Sequence, residues 1–261
     1  MLGMELMSGY DVLFVDLYGV VWSGSHAFPA ALDALELSVA NGKEVLILSN
    51  ASSPSREIVK KYDAENLVFG KHFTHFVTSG DVLNDALINH RLSFSNVKNP
   101  RKYFVFGTQS DVVFTGSDLK RVANLDDADF VYVSVPRFSD GERDAMPLEM
   151  RRHLFVARAY GGERTWDSIS MEPYMPRLEI FLRKGKPIVI ANPDKFAVCQ
   201  VLETPDAAEY VAKPIVKQGL IAEAYGKMGG EVFAVGKPFP SIYRYAMEKL
   251  SDGKSTEMVR E

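Results

Sequence analysis

The sequence predicts an α/β fold, a Rossmann-like parallel sheet core wound with helices, into which a second α/β domain is inserted. Three observations carry that prediction. Short continuous apolar runs alternate with stretches of helical periodicity, the pattern of strands buried on both faces and joined by crossover helices. Polar residues stand at the carboxyl ends of the first three runs: Asp16 after "VLFV", Ser49 and Asn50 after "LIL", and Thr78-Ser79-Gly80 after "HFV". In such sheets ligands sit beyond those ends. A second alternating set begins near residue 100, between the third run and a last mixed segment, so it reads as an insertion.

The elements follow in order. "VLFV" (12–15) is the first strand. A turn leads to "FPAALDALELSVANGK", where Pro29 suits a first helical turn, Leu32, Leu35 and Val39 share a face, and Gly42 suits the end. "EVLILSN" gives a second strand, "SPSREIVKKYDAEN" a second helix opened by Pro54, and "HFVTSG" a third strand, making βαβαβ. The second set comprises strands in "KYFVFG" and "DFVYVSV", helical stretches around "PLEMRRHLFVARAY" and "PYMPRLEIFLRKG", and the strand "PIVIANPD". The last segment, "KQGLIAEAYGKMGGEVFAVGKPFPSIYRYAMEKL", is expected to return to the first domain. The expected division is therefore a core of 1–82 with 215–261 and an inserted domain of 83–214.

Composition narrows the function. The 261 residues are 46% hydrophobic and 25% charged, with a formal charge of −4, which offers no electrostatic reason to bind nucleic acid or an anionic membrane. Cys199 is the only cysteine, so no intrachain disulfide is possible, and the five histidines show no zinc-ligand spacing. The start "MLGMELMSGYD" lacks the pattern of a signal peptide, and no apolar run approaches the ~20 residues of a membrane span. A cytoplasmic protein is expected.

A carboxylate at the end of a buried strand is costly unless it is paired, metal-bound or catalytic. An isolated aspartate would most simply accept hydrogen bonds from the following turn. Asp16 has company: Ser49 and Asn50 end the neighbouring strand with a hydroxyl and an amide, and "VGKP" supplies Lys237 after another apolar run. Taken separately, a Ser-Asn pair is more often a helix cap and Lys237 a surface lysine. Together, a carboxylate nucleophile, a hydroxyl donor and a lysine are the parts needed to attack a phosphoryl group and hold its charge. Other phosphate motifs fail. "GGEVFAVGKP" has the wrong spacing for a P-loop and Pro238 where Ser or Thr is required, no G-x-G-x-x-G follows a strand, and no G-x-S-x-G elbow is present.

"DLYGVVWSG", "LILSNAS", "TSG", "ANPD" and "VGKP", in that order over about Asp11 to Leu250, resemble the haloacid dehalogenase-like phosphatases, in particular the class IIA branch with a large α/β cap after the third core strand. The resemblance implies a Mg²⁺-dependent phosphatase acting on a small phosphorylated metabolite through an aspartyl-phosphate. Asp16 would be nucleophile and magnesium ligand, and the Tyr18 carbonyl a second ligand. Ser49, Asn50 and Gly19 would bind the phosphoryl group, Lys237 would neutralise Asp16 and the phosphate, and Asn192 and Asp194 would add substrate contacts from a cap segment. A homodimer is compatible with this family reading.

Two features depart from the family pattern. Most members carry a second aspartate two residues after the nucleophile, which protonates the leaving alkoxide and then activates water, and this chain has Tyr18. A phenol, with an ordinary pKa near 10, is a poor base at neutral pH, and the lost acid–base assistance is typically worth ~10²–10⁴-fold. Ordinary esters are thus expected to turn over slowly, and acyl phosphates or phosphoanhydrides to suffer less. The family also ends in a strand with a G-D-x-x-x-x-D motif, which "EKLSDGKSTEMVRE" does not contain, so the core is expected to lack one metal ligand and one central strand. The alternative reading is a catalytically impaired relative that binds a phosphorylated ligand or a protein partner.

Overall fold

A computed structural model describes residues 9–108, 110–157 and 164–251. The chain divides into two compact units, Met1–Leu83 with Gly236–Glu261, and Asn84–Val235.

The first unit holds β1 (Val12–Val15), α1 (Pro29–Ala40), β2 (Glu44–Ser49), α2 (Ser55–Ala64), β3 (His75–Thr78), the start of α3 (Ser79–Ile88) and a last helix, Pro240–Ser251. The strands are parallel in the order β1-β2-β3, with Val15 opposite Ile47 and Ser49 opposite Thr78. Val45, Leu46, Ile47 and Leu48 of β2 are all buried, which is why this strand reads as an unbroken apolar run. In β1, Leu13 and Val15 pack into the core, whereas Val12 and Phe14 on the opposite face are exposed. α1 begins at Pro29, which suits the first helical position. It stops in a Schellman arrangement, with the Gly42 N–H donating to the Val39 carbonyl and the Lys43 N–H to that of Ser38.

Aromatic rings fill the space between the sheet and α1 and α2. Trp22 meets Tyr62 edge-on at 5.1 Å, and Tyr62 stacks on Phe76 at 5.7 Å. Such pairs contribute roughly 0.5–1.5 kcal/mol beyond the area they bury.

In "HFVTSG" the strand stops at Thr78, and Ser79-Gly80 already belong to α3. The reason is a capping box. Thr78 Oγ1 accepts the Asp81 N–H at 3.0 Å, while Asp81 Oδ2 accepts the Thr78 N–H at 2.8 Å, satisfying two helix-terminal donors reciprocally.

The second unit contains, in chain order, β4 (Lys102–Phe106), β5 (Lys120–Arg121), β6 (Phe130–Val133), β7 (Phe138–Ser139), α4 (Asp140–Asp144), α5 (Leu148–Arg151), β8 (Leu154–Ala157) and β9 (Thr165–Ser168). Then come α6 (Met175–Arg183), β10 (Ile188–Ile190), β11 (Phe196–Leu202), β12 (Val211–Val216), α7 (Gln218–Lys227) and β13 (Val232–Ala234). One sheet is parallel with the order β13-β10-β6-β4-β5, and the other is antiparallel with the order β12-β11-β8-β9-β7.

The long helix expected around "PLEMRRHLFVARAY" is instead a single turn, α5, followed by a strand, β8. Leu154 and Val156 of that strand are buried, and it pairs on both sides with β9 and β11, so tertiary pairing outweighs the helical spacing. The end of the quoted stretch, 158–160, lies outside the described residues. The β11–β12 hairpin corresponds to no element expected from the sequence. Segment 215–235, read from sequence with the core, is found in the second unit: α7 packs on β10, and β13 pairs with it. Among the described residues, no helix is long and apolar enough to cross a membrane.

Gly219, inside α7, lies so close to the 193–194 turn that an added Cβ would stand 1.9 Å from the Pro193 carbonyl oxygen. Gly→Ala within a helix ordinarily stabilises by up to about 1 kcal/mol. Here Gly219→Ala is expected to destabilise by about 1–3 kcal/mol through overpacking, measured as a lower midpoint in urea. A raised midpoint would show that the Pro193 backbone yields.

Candidate active site

The carboxyl ends of β1, β2 and β3 place Asp16, Ser49-Asn50 and Ser79 along one edge of the first unit's sheet. Asp16 is the first residue beyond β1, and its Oδ1 accepts the N–H of Leu17 at 2.8 Å. The same oxygen pairs with the Lys237 ammonium, which also donates to the Leu48 carbonyl at 2.6 Å. No hydrogen bond from the described residues reaches Asp16 Oδ2 or the Tyr18 carbonyl oxygen.

Lys237 is held by its backbone. Asn50 Oδ1 accepts the Lys237 N–H at 2.7 Å, and Asn50 Nδ2 donates to the Lys237 carbonyl at 3.1 Å. The Asn50 side chain is thereby engaged on both its donor and its acceptor side. Ser49 is buried, and its hydroxyl accepts the Ala51 N–H at 3.2 Å. Gly19 has φ +81° and donates its N–H to the Trp22 carbonyl, a left-handed turn conformation that a side chain would strain. The Tyr18 ring is half exposed and its hydroxyl accepts from the buried Tyr62 hydroxyl at 3.3 Å. Asn192 and Asp194 follow β10 in the second unit, where Asn192 Oδ1 accepts the Asp194 N–H at 2.8 Å.

The group missed from sequence is Asp81. Its Oδ1 accepts from the backbone N–H and the hydroxyl of Ser55, at 2.8 and 3.1 Å. Its Oδ2 accepts from the N–H of Thr78 and faces that residue's hydroxyl at 3.1 Å. Burial pushes the Asp81 carboxyl above the ordinary value, while these hydrogen bonds pull it down. The spacing Thr78-x-x-Asp81 is a capping-box signal and could have marked it.

Asp16 Oδ2 and the Tyr18 carbonyl are two hard oxygen donors, and among the described residues no group of three or more metal-binding side chains occurs. That donor set fits a cation such as Mg²⁺, which is commonly held by one or two carboxylates and keeps several waters.

A family model described as haloacid dehalogenase-like hydrolase matches residues 13–117. A 4-nitrophenylphosphatase of Schizosaccharomyces pombe is 40% identical over 53 residues, which are 20% of this chain and 18% of that protein. The match therefore spans less than a fifth of that relative. Among solved structures, a haloacid dehalogenase-like hydrolase from Brucella suis is similar with a TM-score of 0.69 and 23% identity, over 95% of this chain and 77% of that one. A 4-nitrophenylphosphatase from Thermotoga maritima is similar with a TM-score of 0.56 and 19% identity, over 94% and 75%.

Asp81→Asn would turn an amide N–H₂ toward groups that themselves donate. It is expected to lower stability by about 1–3 kcal/mol, the cost of buried donors left unsatisfied, measured by urea unfolding. Unchanged stability would mean that the Ser55 and Thr78 donors find other partners. Residues 13–117 match the haloacid dehalogenase-like hydrolase model, and the chain has the fold of the solved haloacid dehalogenase-like hydrolase and 4-nitrophenylphosphatase to which it is similar.

Proposed function

We propose that this protein is a phosphohydrolase acting on a small phosphorylated metabolite, with Asp16 as the nucleophile. The observation that carries the reading is Asp16 at the end of β1 with the Lys237 ammonium on one of its oxygens. A carboxylate oxygen of Asp16 attacks phosphorus, the bond to the leaving oxygen breaks with its electron pair, and an aspartyl-phosphate forms. Water then attacks that phosphorus, releasing phosphate and restoring the carboxylate. Lys237 has three N–H donors. Two of them meet Asp16 and Leu48, which leaves one for a phosphoryl oxygen, where fixed charge stabilises the transition state. Ser49 and Gly19, beside this edge, supply a hydroxyl and a turn for further phosphoryl contacts. Asp16 and the Tyr18 carbonyl would hold Mg²⁺, which when bound draws negative charge from the phosphoryl oxygens.

Tyr18 narrows the substrate class. Its hydroxyl is tied to Tyr62, and no carboxylate stands in its place to protonate a leaving alkoxide. Leaving groups that depart as stable anions, as from an acyl phosphate or a phosphoanhydride, are the better substrates. The same feature supports a second reading, in which the site binds a phosphorylated ligand with little turnover.

Asp16→Asn is expected to abolish hydrolysis of acetyl phosphate and aryl phosphate while leaving the circular dichroism spectrum unchanged, since an amide of nearly the same shape cannot attack phosphorus. Activity within a few-fold of the parent would remove Asp16 from the role.

Tyr18→Asp is expected to raise the rate on an alkyl phosphate by up to ~10²-fold and to raise the rate on acetyl phosphate far less, because only the alkoxide needs a proton in the transition state. Steady-state kinetics on both substrates give the ratio. Equal effects would show that acid catalysis is not what Tyr18 displaces.

A further inference from the structure

We infer that Ser79 and Asn50 are positioning residues that set the Lys237 ammonium against Asp16, an inference that rests on the phosphohydrolase reading for its catalytic consequence. A lysine side chain has four rotatable carbons and much conformational freedom, and the exposed half of this ion pair, Asp16, supplies too little attraction to hold it in place. The restraint acts on the lysine's main chain. Asn50 accepts the Lys237 N–H and donates to the Lys237 carbonyl, so a single planar amide fixes both backbone groups of the residue. From that anchored backbone, Lys237 Nζ reaches Asp16 and the Leu48 carbonyl, two residues before Asn50 on the same chain.

Asn50 in turn is held from the start of α3. The Ser79 hydroxyl, fully buried, points at Asn50 Oδ1 at 3.2 Å and at the Ser49 carbonyl at 3.4 Å. It thus orients the amide so that its oxygen faces the Lys237 N–H and its nitrogen the Lys237 carbonyl. Ser79 has no freedom to drift. Gly80, the next residue, donates to the Ala51 carbonyl at 3.0 Å, and a Cβ on it would lie 2.4 Å from the Ser53 carbonyl carbon. Thr78, before it, hydrogen-bonds the Ser53 carbonyl at 2.9 Å. The order of transmission is therefore from the start of α3 at Ser79 to Asn50, to the Lys237 backbone, to the ammonium on Asp16.

The test reads Lys237 directly. Trace acetic anhydride labelling, quantified by mass spectrometry with Lys227 as the internal reference, is applied to the parent, Asn50→Ala, Asn50→Asp and Ser79→Ala. Asn50→Asp keeps size and an acceptor and places an oxygen against the Lys237 carbonyl. Each Asn50 variant is expected to raise Lys237 labelling by about two- to tenfold, the equilibrium effect of a typical hydrogen bond, and Ser79→Ala to raise it in the same direction but less. Acetyl phosphate kinetics are expected to show kcat falling more than KM rises. Labelling unchanged in Asn50→Ala and Ser79→Ala with parental circular dichroism overturns the inference, and so does loss of the fold in all three variants, which would make these residues structural. Should the parent hydrolyse no phosphate tested, the phosphohydrolase reading fails alone, because the labelling result stands by itself.

Discussion

Asp16 and Lys237 lie 221 residues apart in the chain and share a hydrogen bond, and the arrangement of the whole candidate site depends on that meeting. The pair cannot enforce itself, since ion pairs with an exposed partner contribute only about 0–1 kcal/mol. Its geometry is imposed from both sides by backbone. On one side, parallel pairing sets Val15 against Ile47, which carries Asp16, just after β1, and Leu48-Ser49-Asn50, at the end of β2, to the same edge. On the other, Asn50 fixes the main chain of Lys237. A flexible cation is thus given a defined place by groups that are themselves rigid.

The rigidity comes from the start of α3. Thr78, Ser79, Gly80 and Asp81 each bond the 49–55 stretch: Thr78 at Ser53, Ser79 at Ser49 and Asn50, Gly80 at Ala51, and Asp81 at Ser55. The central carboxylate is buried, which by itself disfavours its charge, and the surrounding N–H and O–H donors offset that penalty. Such a network is costly to leave half-made, so it specifies one loop conformation. Four consecutive residues therefore do for the loop what a single hydrogen bond could not.

The second unit uses the same parallel-strand arrangement for a different sheet. β4 and β6 are followed by Gly107-Thr108 and Ser134, the Thr108 and Ser134 hydroxyls lie 3.1 Å apart, and β10 leads into Asn192 and Asp194. Polar residues again follow buried runs, because a continuous apolar strand must end where its backbone meets water or a ligand. The antiparallel sheet of this unit is built otherwise, and its longest strands, β11 and β12, alternate exposed and more buried positions along most of their length.

The sequence by itself determined the parallel elements and the identity of the chemical groups. "EVLILS" and "HFVT" are continuous apolar runs that are buried, "VLFV" is a third such run that partly buries only Leu13 and Val15, and Asp16, Ser49 and Lys237 stand out because they end or follow apolar runs. Local signals also sufficed for the ends of α1, where proline and glycine act through their own backbone constraints. What only the tertiary structure decided was everything that depends on which distant groups meet. β8 is a strand because β9 and β11 flank it, although its spacing suits a helix. The β11–β12 hairpin gains its order from pairing, since Phe196 and Val198 remain exposed and leave no burial pattern to read. Segment 215–235 joins the second unit because β13 finds β10. Asn50 illustrates the limit most directly. Its identity announces a hydrogen-bonding amide, but an amide can donate and accept in many settings, and only the folded chain shows that both functions close on the backbone of Lys237.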